Sequence, residues 1–174
     1  MKFVYDVVKA GYGRENSQLD ACRLAAFCGK NYQTYLLGKY IIVNYRGTYT
    51  WEDILTDLVL LFGLHPWNPR FQVAKNIIVQ LRQDHPEHII VAMGHSLGGA
   101  LAEHTSADYI ITYNKGASPF AIGRTIPTHQ LDIRVRGDCV SLITLLQFHP
   151  YSNLLQLSPN FFFSAHAPEQ LRVA

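Results

Sequence analysis

The segment Gly94-His95-Ser96-Leu97-Gly98 places a serine between two glycines, after an apolar run and before an Ala-rich stretch. In this pattern the serine occupies a sharp, strained turn from a strand into a helix, and its hydroxyl projects from the edge of the sheet. Such a hydroxyl, once activated, is a nucleophile for acyl transfer. The Leu97 amide, at the start of the helix, is placed to stabilise a developing oxyanion. A Gly-rich turn with an ordinary serine is the alternative interpretation.

A serine nucleophile needs a base, usually histidine, and an acid that orients the base. In proteins whose catalytic serine occupies such a strand-to-helix turn, the serine comes first along the chain, then the acid and then the histidine. Asp138 is the predicted acid because it comes just after a strand, where catalytic groups collect, whereas Asp108 and Asp132 lie at strand beginnings. A turn residue after Gly137 is the alternative role for Asp138. The acidic residues after Ser96 are Glu103, Asp108, Asp132, Asp138 and Glu169.

Two histidines follow the predicted acid, His149 and His166. His166 is the predicted base because it lies in a late loop, before a predicted terminal helix, and can fold back over the site. His149 is the alternative. The remaining histidines, which include His65, His85 and His88, show no metal-ligand spacing, so we expect them to be solvated or core residues. The sequence therefore predicts no metal site and no cofactor.

Strands and helices alternate along the chain, which predicts an α/β fold whose mostly parallel sheet carries helices on both faces. Strands are predicted at 40–45, 88–93, 109–113 and 131–136. Helices are predicted from Ser17 to about Gly29, at 51–62, from Pro69 to the Asp84-His85-Pro86 segment, and at 97–107. Residues 115–127 are predicted to form one long loop.

Length and composition exclude several classes of protein. The chain has 174 residues, of which 48% are hydrophobic and 16% charged, so we expect a single domain spanning residues 1–174. The formal net charge is only +2 and the sequence has no basic cluster, so nucleic acid is not an expected partner. No apolar run approaches the roughly 20 residues of a transmembrane helix.

The N-terminal segment and the cysteines bear on localisation. Asp6 and Lys9 interrupt the first apolar stretch, so it does not resemble a signal peptide. The three cysteines, Cys22, Cys28 and Cys139, are odd in number and fit a reducing compartment. We therefore expect a cytoplasmic or otherwise intracellular protein.

Three segments of the chain resemble the fungal-type, or class 3, lipase family of the α/β-hydrolase superfamily. The first is the strand and loop 41–48, followed by Trp51 and Asp57. The second is the serine segment 94–102, and the third is the acid loop 137–142. Together they extend the likeness from about Tyr40 to the C-terminus. The chain differs from the family in its short length and in its short spacing from acid to histidine, so it would be a compact member.

The resemblance implies a serine esterase or lipase that hydrolyses lipid esters through Ser96, His166 and Asp138. It also implies that Thr48 contributes a second oxyanion contact and that the segment 51–62 corresponds to a lid with peripheral contact to a lipid surface. A thioesterase or acyltransferase with the same serine, and a catalytically silent lipid-binding protein, are the alternatives. The apolar residues of the predicted lid are Trp51, Ile54, Leu55, Leu58 and Phe62.

Overall fold

A sheet whose strands follow one another in chain order forms the centre of the molecule. The computed structural model describes residues 2–14, 16–47, 69–117 and 121–157. Within these residues the strands are β1 (Tyr32–Leu37), β2 (Tyr40–Tyr45), β3 (Ile89–His95), β4 (Tyr109–Tyr113), β5 (Gln130–Val135) and β6 (Leu154–Leu157). β1 is antiparallel to β2, and every later pair of neighbours is parallel. The predicted α/β class with a mostly parallel sheet is confirmed.

The helices of the described residues lie on both faces of this sheet, as predicted. They are α1 (Lys2–Gly11), α2 (Ser17–Asp20), α3 (Pro69–Asp84) and α4 (Leu97–Glu103), with 3₁₀ turns at Ala25–Phe27 and Leu142–Leu146. None of these helices is long and apolar enough to cross a bilayer.

Alternation along β2 assigns its side chains to the two faces. Ile41 and Val43 belong to the core that α3 and α4 cover, whereas Ile42 packs with Val7 of α1 on the opposite face. Because the strand order advances in one direction, right-handed crossovers put the connecting helices α3 and α4 on the same face. The other face is covered by α1, which comes before the sheet in the chain.

The cover that α1 provides is partial. Tyr109 of β4 and Leu131 of β5 lie on the same face of the sheet as α1. Nevertheless, 51% of Tyr109 and 37% of Leu131 remain exposed. Asn44 of β2 fixes the position of α1 through a hydrogen bond of 2.6 Å from its side-chain amide to the carbonyl of Val7. α1 therefore covers β2 and β3 and reaches β5 through Tyr5, which packs with Ile133 and Val135, whereas the starts of β4 and β5 stay uncovered.

The predicted helix from Ser17 to about Gly29 is wrong in extent. The Asn16 side chain caps α2, but the helix ends at Asp20. Beyond that point the backbone pairs with β1: Leu24 N–H donates to the carbonyl of Thr34, and Leu36 N–H donates to the carbonyl of Cys22. Pairing with an edge strand thus replaces the helical hydrogen bonds.

That residues 1–174 form one domain stays a prediction.

Candidate active site

Ser96 lies at the turn between β3 and α4 with a φ of 56° and a ψ of −124°. These angles are those of the first central residue of a type II′ turn, a position that favours glycine. A residue with a β-carbon is strained in this region, and strain of this kind concentrates at functional sites. The fold therefore holds Ser96 in the strained strand-to-helix turn that the Gly-x-Ser-x-Gly pattern predicts.

The flanking glycines are needed because the backbone is tightly packed around this turn. A β-carbon at Gly94 would overlap the backbone of Gly98, and one at Gly98 would overlap the carbonyl of Tyr45. The spacing of the motif thus reflects the contact between β3, α4 and the end of β2.

The backbone of Ser96 is fully engaged, whereas its hydroxyl is not. Its N–H donates to the carbonyl of Tyr113 at 3.1 Å, and its carbonyl accepts from the amides of Gly99 at 3.0 Å and Gly116 at 3.1 Å. The residue is 1% exposed, and within the described part of the chain its Oγ has no hydrogen-bond partner. The described residues thus leave the hydroxyl available to the base that a serine nucleophile needs.

Leu97 is the first residue of α4 and is buried. The amides of the first helical turn have no acceptor within their own helix. The Leu97 N–H is therefore in a position where it can donate to a charge that develops next to Ser96.

The loop after β2 passes directly beside the serine. A β-carbon at Gly47 would lie 3.2 Å from Cβ of Ser96 and 2.6 Å from the carbonyl oxygen of His95. Thr48, the predicted second oxyanion contributor, is the next residue but lies outside the described residues, as does His166. The predicted lid residues Trp51, Ile54, Leu55, Leu58 and Phe62 also lie outside them.

The residue before the serine is bound to the N-terminal part of the chain. Tyr12, just after α1, has its hydroxyl 2.9 Å from Nδ1 of His95. The His95 ring also packs edge-on against Tyr12 and in a tilted orientation against Tyr113. The turn that carries Ser96 is thus held from the side of α1 as well as by the sheet.

Asp138 lies just after β5 in a turn that its own carboxylate stabilises. Oδ1 accepts from the amide of Val140 at 3.1 Å, and Oδ2 accepts from the amide of Ser141 at 3.0 Å. Asp138 is 2% exposed, and Gly137 before it has a φ of 85°, a value that favours glycine. The carboxylate is therefore buried and fixed in orientation.

Arg134 supports this acid loop, a role that the sequence did not reveal. Its Nη2 donates to the carbonyl of Asp138 at 3.2 Å, and its Nε donates to Oγ of Ser141 at 3.3 Å. Burial lowers the pKa of the Arg134 guanidinium, and the charge of Asp138 opposes that effect. The only signal in the sequence was an arginine within a strand.

Ser96 and Asp138 lie at the same edge of the sheet, two strands apart. Hydrogen bonds connect them through β4 and β5: Ser96 N–H to Tyr113 O, Val135 N–H to the side-chain oxygen of Asn114, and Asp138 N–H to Val135 O. Neighbouring strands are about 4.8 Å apart, so two strands span about 10 Å. One imidazole with a hydrogen bond on each side spans about 8 Å, a distance of the same order.

His149, the alternative base, is engaged elsewhere. Its Nε2 lies 3.0 Å from Oδ2 of Asp132, and its Nδ1 lies 3.1 Å from the carbonyl of Gln147. Both ring nitrogens therefore face oxygen atoms of residues other than Ser96. This engagement of His149 favours His166 as the base.

Asp132 is the centre of a buried charge network that the sequence also did not reveal. Nζ of Lys115 lies 2.7 Å from Asp132 and 3.0 Å from Glu103, and all three side chains are at most 2% exposed. Burial alone would raise the pKa of Asp132, but the hydrogen bonds from His149 and Lys115 and the charge of Lys115 lower it to about 2. The network fixes α4 against β5, and Ser96 is not part of it.

Comparisons with known proteins complete the description. No family model matches the chain, and no curated protein matches it. Among solved structures, the chain is similar to the Lip2 lipase from Yarrowia lipolytica, with a TM-score of 0.44 and 18% sequence identity. The match covers 75% of this chain and 60% of the lipase chain.

Proposed function

We propose that this chain is a serine hydrolase that cleaves carboxylic ester bonds of lipids, an esterase or lipase of the α/β-hydrolase type. The observation that carries the proposal is Ser96 itself. It combines a strained backbone at φ 56° with a buried Oγ that has no hydrogen-bond partner among the described residues. The strained turn presents the oxygen as an acyl-transfer nucleophile requires, and an Oγ that the described residues leave unengaged is available to a base.

In the proposed mechanism Ser96 Oγ attacks the ester carbonyl while His166 takes its proton as general base. The Leu97 and Thr48 amides donate to the oxyanion of the tetrahedral intermediate. His166 then returns the proton to the departing alcohol, which leaves an acyl group on Ser96. Water, deprotonated by the same histidine, releases the acid. The position of Gly47 beside Ser96 supports the role of Thr48, because Gly47 and Thr48 are adjacent in the chain.

Asp138 is the proposed acid that orients His166. Two backbone amides bind its carboxylate, one on each oxygen. These bonds fix the orientation of the carboxylate, as is required of an acid that positions an imidazole. The engagement of both His149 nitrogens supports the choice of His166 over His149.

An apolar acyl group is the proposed substrate moiety. A cavity of about 170 Å³ lies between α3, the end of β2 and α4, and its lining includes Tyr45, Val73 and Leu101. Lys30 and Arg70 contribute the cationic part of the lining. Mostly apolar walls with a few polar groups suit an acyl chain better than a polyanion. Peripheral contact with a lipid surface through the lid residues belongs to the same proposal.

Labelling with a fluorophosphonate probe, followed by intact mass, tests the nucleophile. The wild type should gain one probe adduct, and Ser96→Ala should gain none. Ser106→Ala is the matched control, because Ser106 is exposed and close in the chain, and its labelling should equal that of the wild type. His166→Ala should slow labelling strongly, whereas His149→Gln should not.

Two outcomes would contradict the proposal. One is labelling of Ser96→Ala at the rate of the wild type. The other is a folded wild type that reacts neither in buffer nor with detergent micelles, which would indicate a silent site. If the protein is labelled, a series of esters of different chain length measures its acyl preference. Added alcohol or thiol acceptors then distinguish hydrolysis from acyl transfer.

A further inference from the structure

The connection from α3 to β3 brings two imidazoles and a carboxylate together. His85 follows the last residue of α3, and His88 precedes the first residue of β3, with Glu87 between them. Their ligand atoms all lie within 4.8 Å of one another. β3 separates this cluster from Ser96 by seven residues, or about 20 Å at 3.3 Å per residue. The cluster is therefore at the opposite end of the sheet from the candidate active site.

One ring nitrogen of the cluster is buried without a hydrogen bond. Nδ1 of His88 lies 2.7 Å from Oε1 of Glu87, but the approach is too poorly aligned for a hydrogen bond, and no other described residue supplies a partner. A buried polar atom in this state is uncommon in folded proteins and calls for a ligand or a functional reason. Here the nitrogen and the carboxylate face the same space.

The two imidazoles are held in place by the protein. The amide of His88 donates to the carbonyl of His85 at 3.1 Å, and the amide of His85 donates to the carbonyl of Leu81 at 2.8 Å. The His85 ring packs edge-on against the His88 ring and against Phe27, with centroids 5.5 Å and 5.9 Å away. The turn and the ring contacts thus keep both imidazoles close together before any ligand binds, which reduces the entropy lost on binding.

The local field favours a cation. α3 is a helix of 16 residues, and its C-terminus carries the negative end of the helix dipole next to His85. Asp84 at the end of α3 and Glu87 in the turn add two carboxylates. A positive ion bound between His85 and His88 would therefore lie at a site of negative potential.

We propose that His85, Glu87 and His88 bind one divalent transition-metal ion of the zinc class. Two imidazole nitrogens and one carboxylate oxygen suit Zn²⁺, whereas Mg²⁺ and Ca²⁺ prefer oxygen ligands alone. Ligands at about 2.0–2.1 Å in a tetrahedron lie about 3.3 Å apart. Rotation of the three side chains closes the difference from the observed spread of 4.8 Å.

The bound ion would stabilise the turn that connects α3 to β3. Three protein ligands leave one coordination position for water, and all three belong to the segment that connects α3 to β3. The ion would bind the folded form, in which these ligands converge, and would raise its stability by mass action. The inference does not depend on the proposed hydrolase, because its site and its readout are separate from Ser96.

Isothermal titration of the untagged protein with zinc chloride tests the site, with the thiols of Cys22, Cys28 and Cys139 alkylated beforehand. The wild type should bind one ion at this site, and its thermal unfolding midpoint should rise with Zn²⁺ but not with Mg²⁺. His85→Gln and His88→Gln should each bind at least about tenfold more weakly. His129→Gln, which changes an exposed histidine outside the cluster, should bind as the wild type does.

Glu87→Gln keeps the test valid if a histidine variant fails to fold, because the Glu87 side chain is 66% exposed and its replacement leaves the core unchanged. It too should weaken binding, and the visible absorption of bound Co²⁺ should change with it. The proposal is overturned if no stoichiometric binding occurs, or if all three variants bind Zn²⁺ with the affinity of the wild type.

Discussion

Replacing Ser96 with glycine should make the protein more stable than replacing it with alanine. Both variants remove the buried Oγ and the proposed nucleophile, so their difference isolates the backbone. Ser96 is held at φ 56° and ψ −124°, which alanine must also adopt and which glycine adopts without strain. The comparison therefore measures the free energy that the turn stores.

The magnitude follows from two opposing effects. Holding a non-glycine residue in such a region costs about 1–3 kcal/mol. Glycine also makes the unfolded chain more flexible, which lowers the stability of the Ser96→Gly variant by about 0.4–1 kcal/mol. We expect Ser96→Gly to exceed Ser96→Ala by about 1–2 kcal/mol in free energy of unfolding. For a chain of this size that corresponds to about 2–8 °C in the unfolding midpoint.

Urea denaturation of both variants, followed by circular dichroism, measures this difference. Ser106 provides the control, since its φ is not positive and glycine there should be less stable than alanine. Equal stability of the two Ser96 variants, or a less stable glycine variant, would refute the argument that the turn is strained.

Three further predictions concern other parts of the structure. Gly98→Ala should lower the free energy of unfolding by about 1–3 kcal/mol or prevent folding, as denaturation can measure, because its β-carbon overlaps the carbonyl of Tyr45. The pKa of Asp132 is lowered from 3.8 to about 2, so its ionised form stabilises the fold above pH 4 and this contribution is lost as the pH falls towards 2. The stability difference between the wild type and Asp132→Asn should therefore shrink by about 2 kcal/mol between pH 5 and pH 2, measured by denaturation at each pH. Asp138→Asn should keep the fold but lower ester turnover by about 10⁴-fold, and unchanged turnover would exclude Asp138 as the acid.

The parts of the fold that could be predicted from the sequence are those with strong local patterns. The apolar positions of α3, such as Phe71, Ala74 and Leu81, recur at helical spacing, and the structure buries them. β2 and β3 are apolar runs because a central parallel strand is covered on both faces. In these segments the tertiary environment and the local preference agree.

Elements that depend on distant partners could not be predicted in this way. The helical pattern after Ser17 is overridden because Cys22 and Leu24 find backbone partners in β1. α1 contains Val4, Val7 and Val8, whose β-branched side chains are weak helix formers, so docking against the sheet stabilises the helix.

The same distinction between local patterns and distant partners applies to the candidate site. Ser96 and Asp138 each come just after a predicted strand. This position suffices to predict that both lie at one edge of a parallel sheet. The partners that hold them depend on neighbouring strands, as the bond between Asn114 and Val135 illustrates. The spacing of His85 and His88 matches no common metal motif, and only the turn between α3 and β3 brings their rings together.

The attachment of α1 has a consequence for the order of folding. The amide of Asn44 that binds Val7 is 37 residues further along the chain, and the His95 ring that faces Tyr12 is 83 residues further. α1 therefore completes its docking only after β3, which follows it in the chain, has been made. Contacts of such long sequence separation form slowly, because a large loop must close before they contribute. Until then the turn at Ser96 lacks the support that Tyr12 gives to His95, so the final geometry of this turn depends on late docking of the segment around α1.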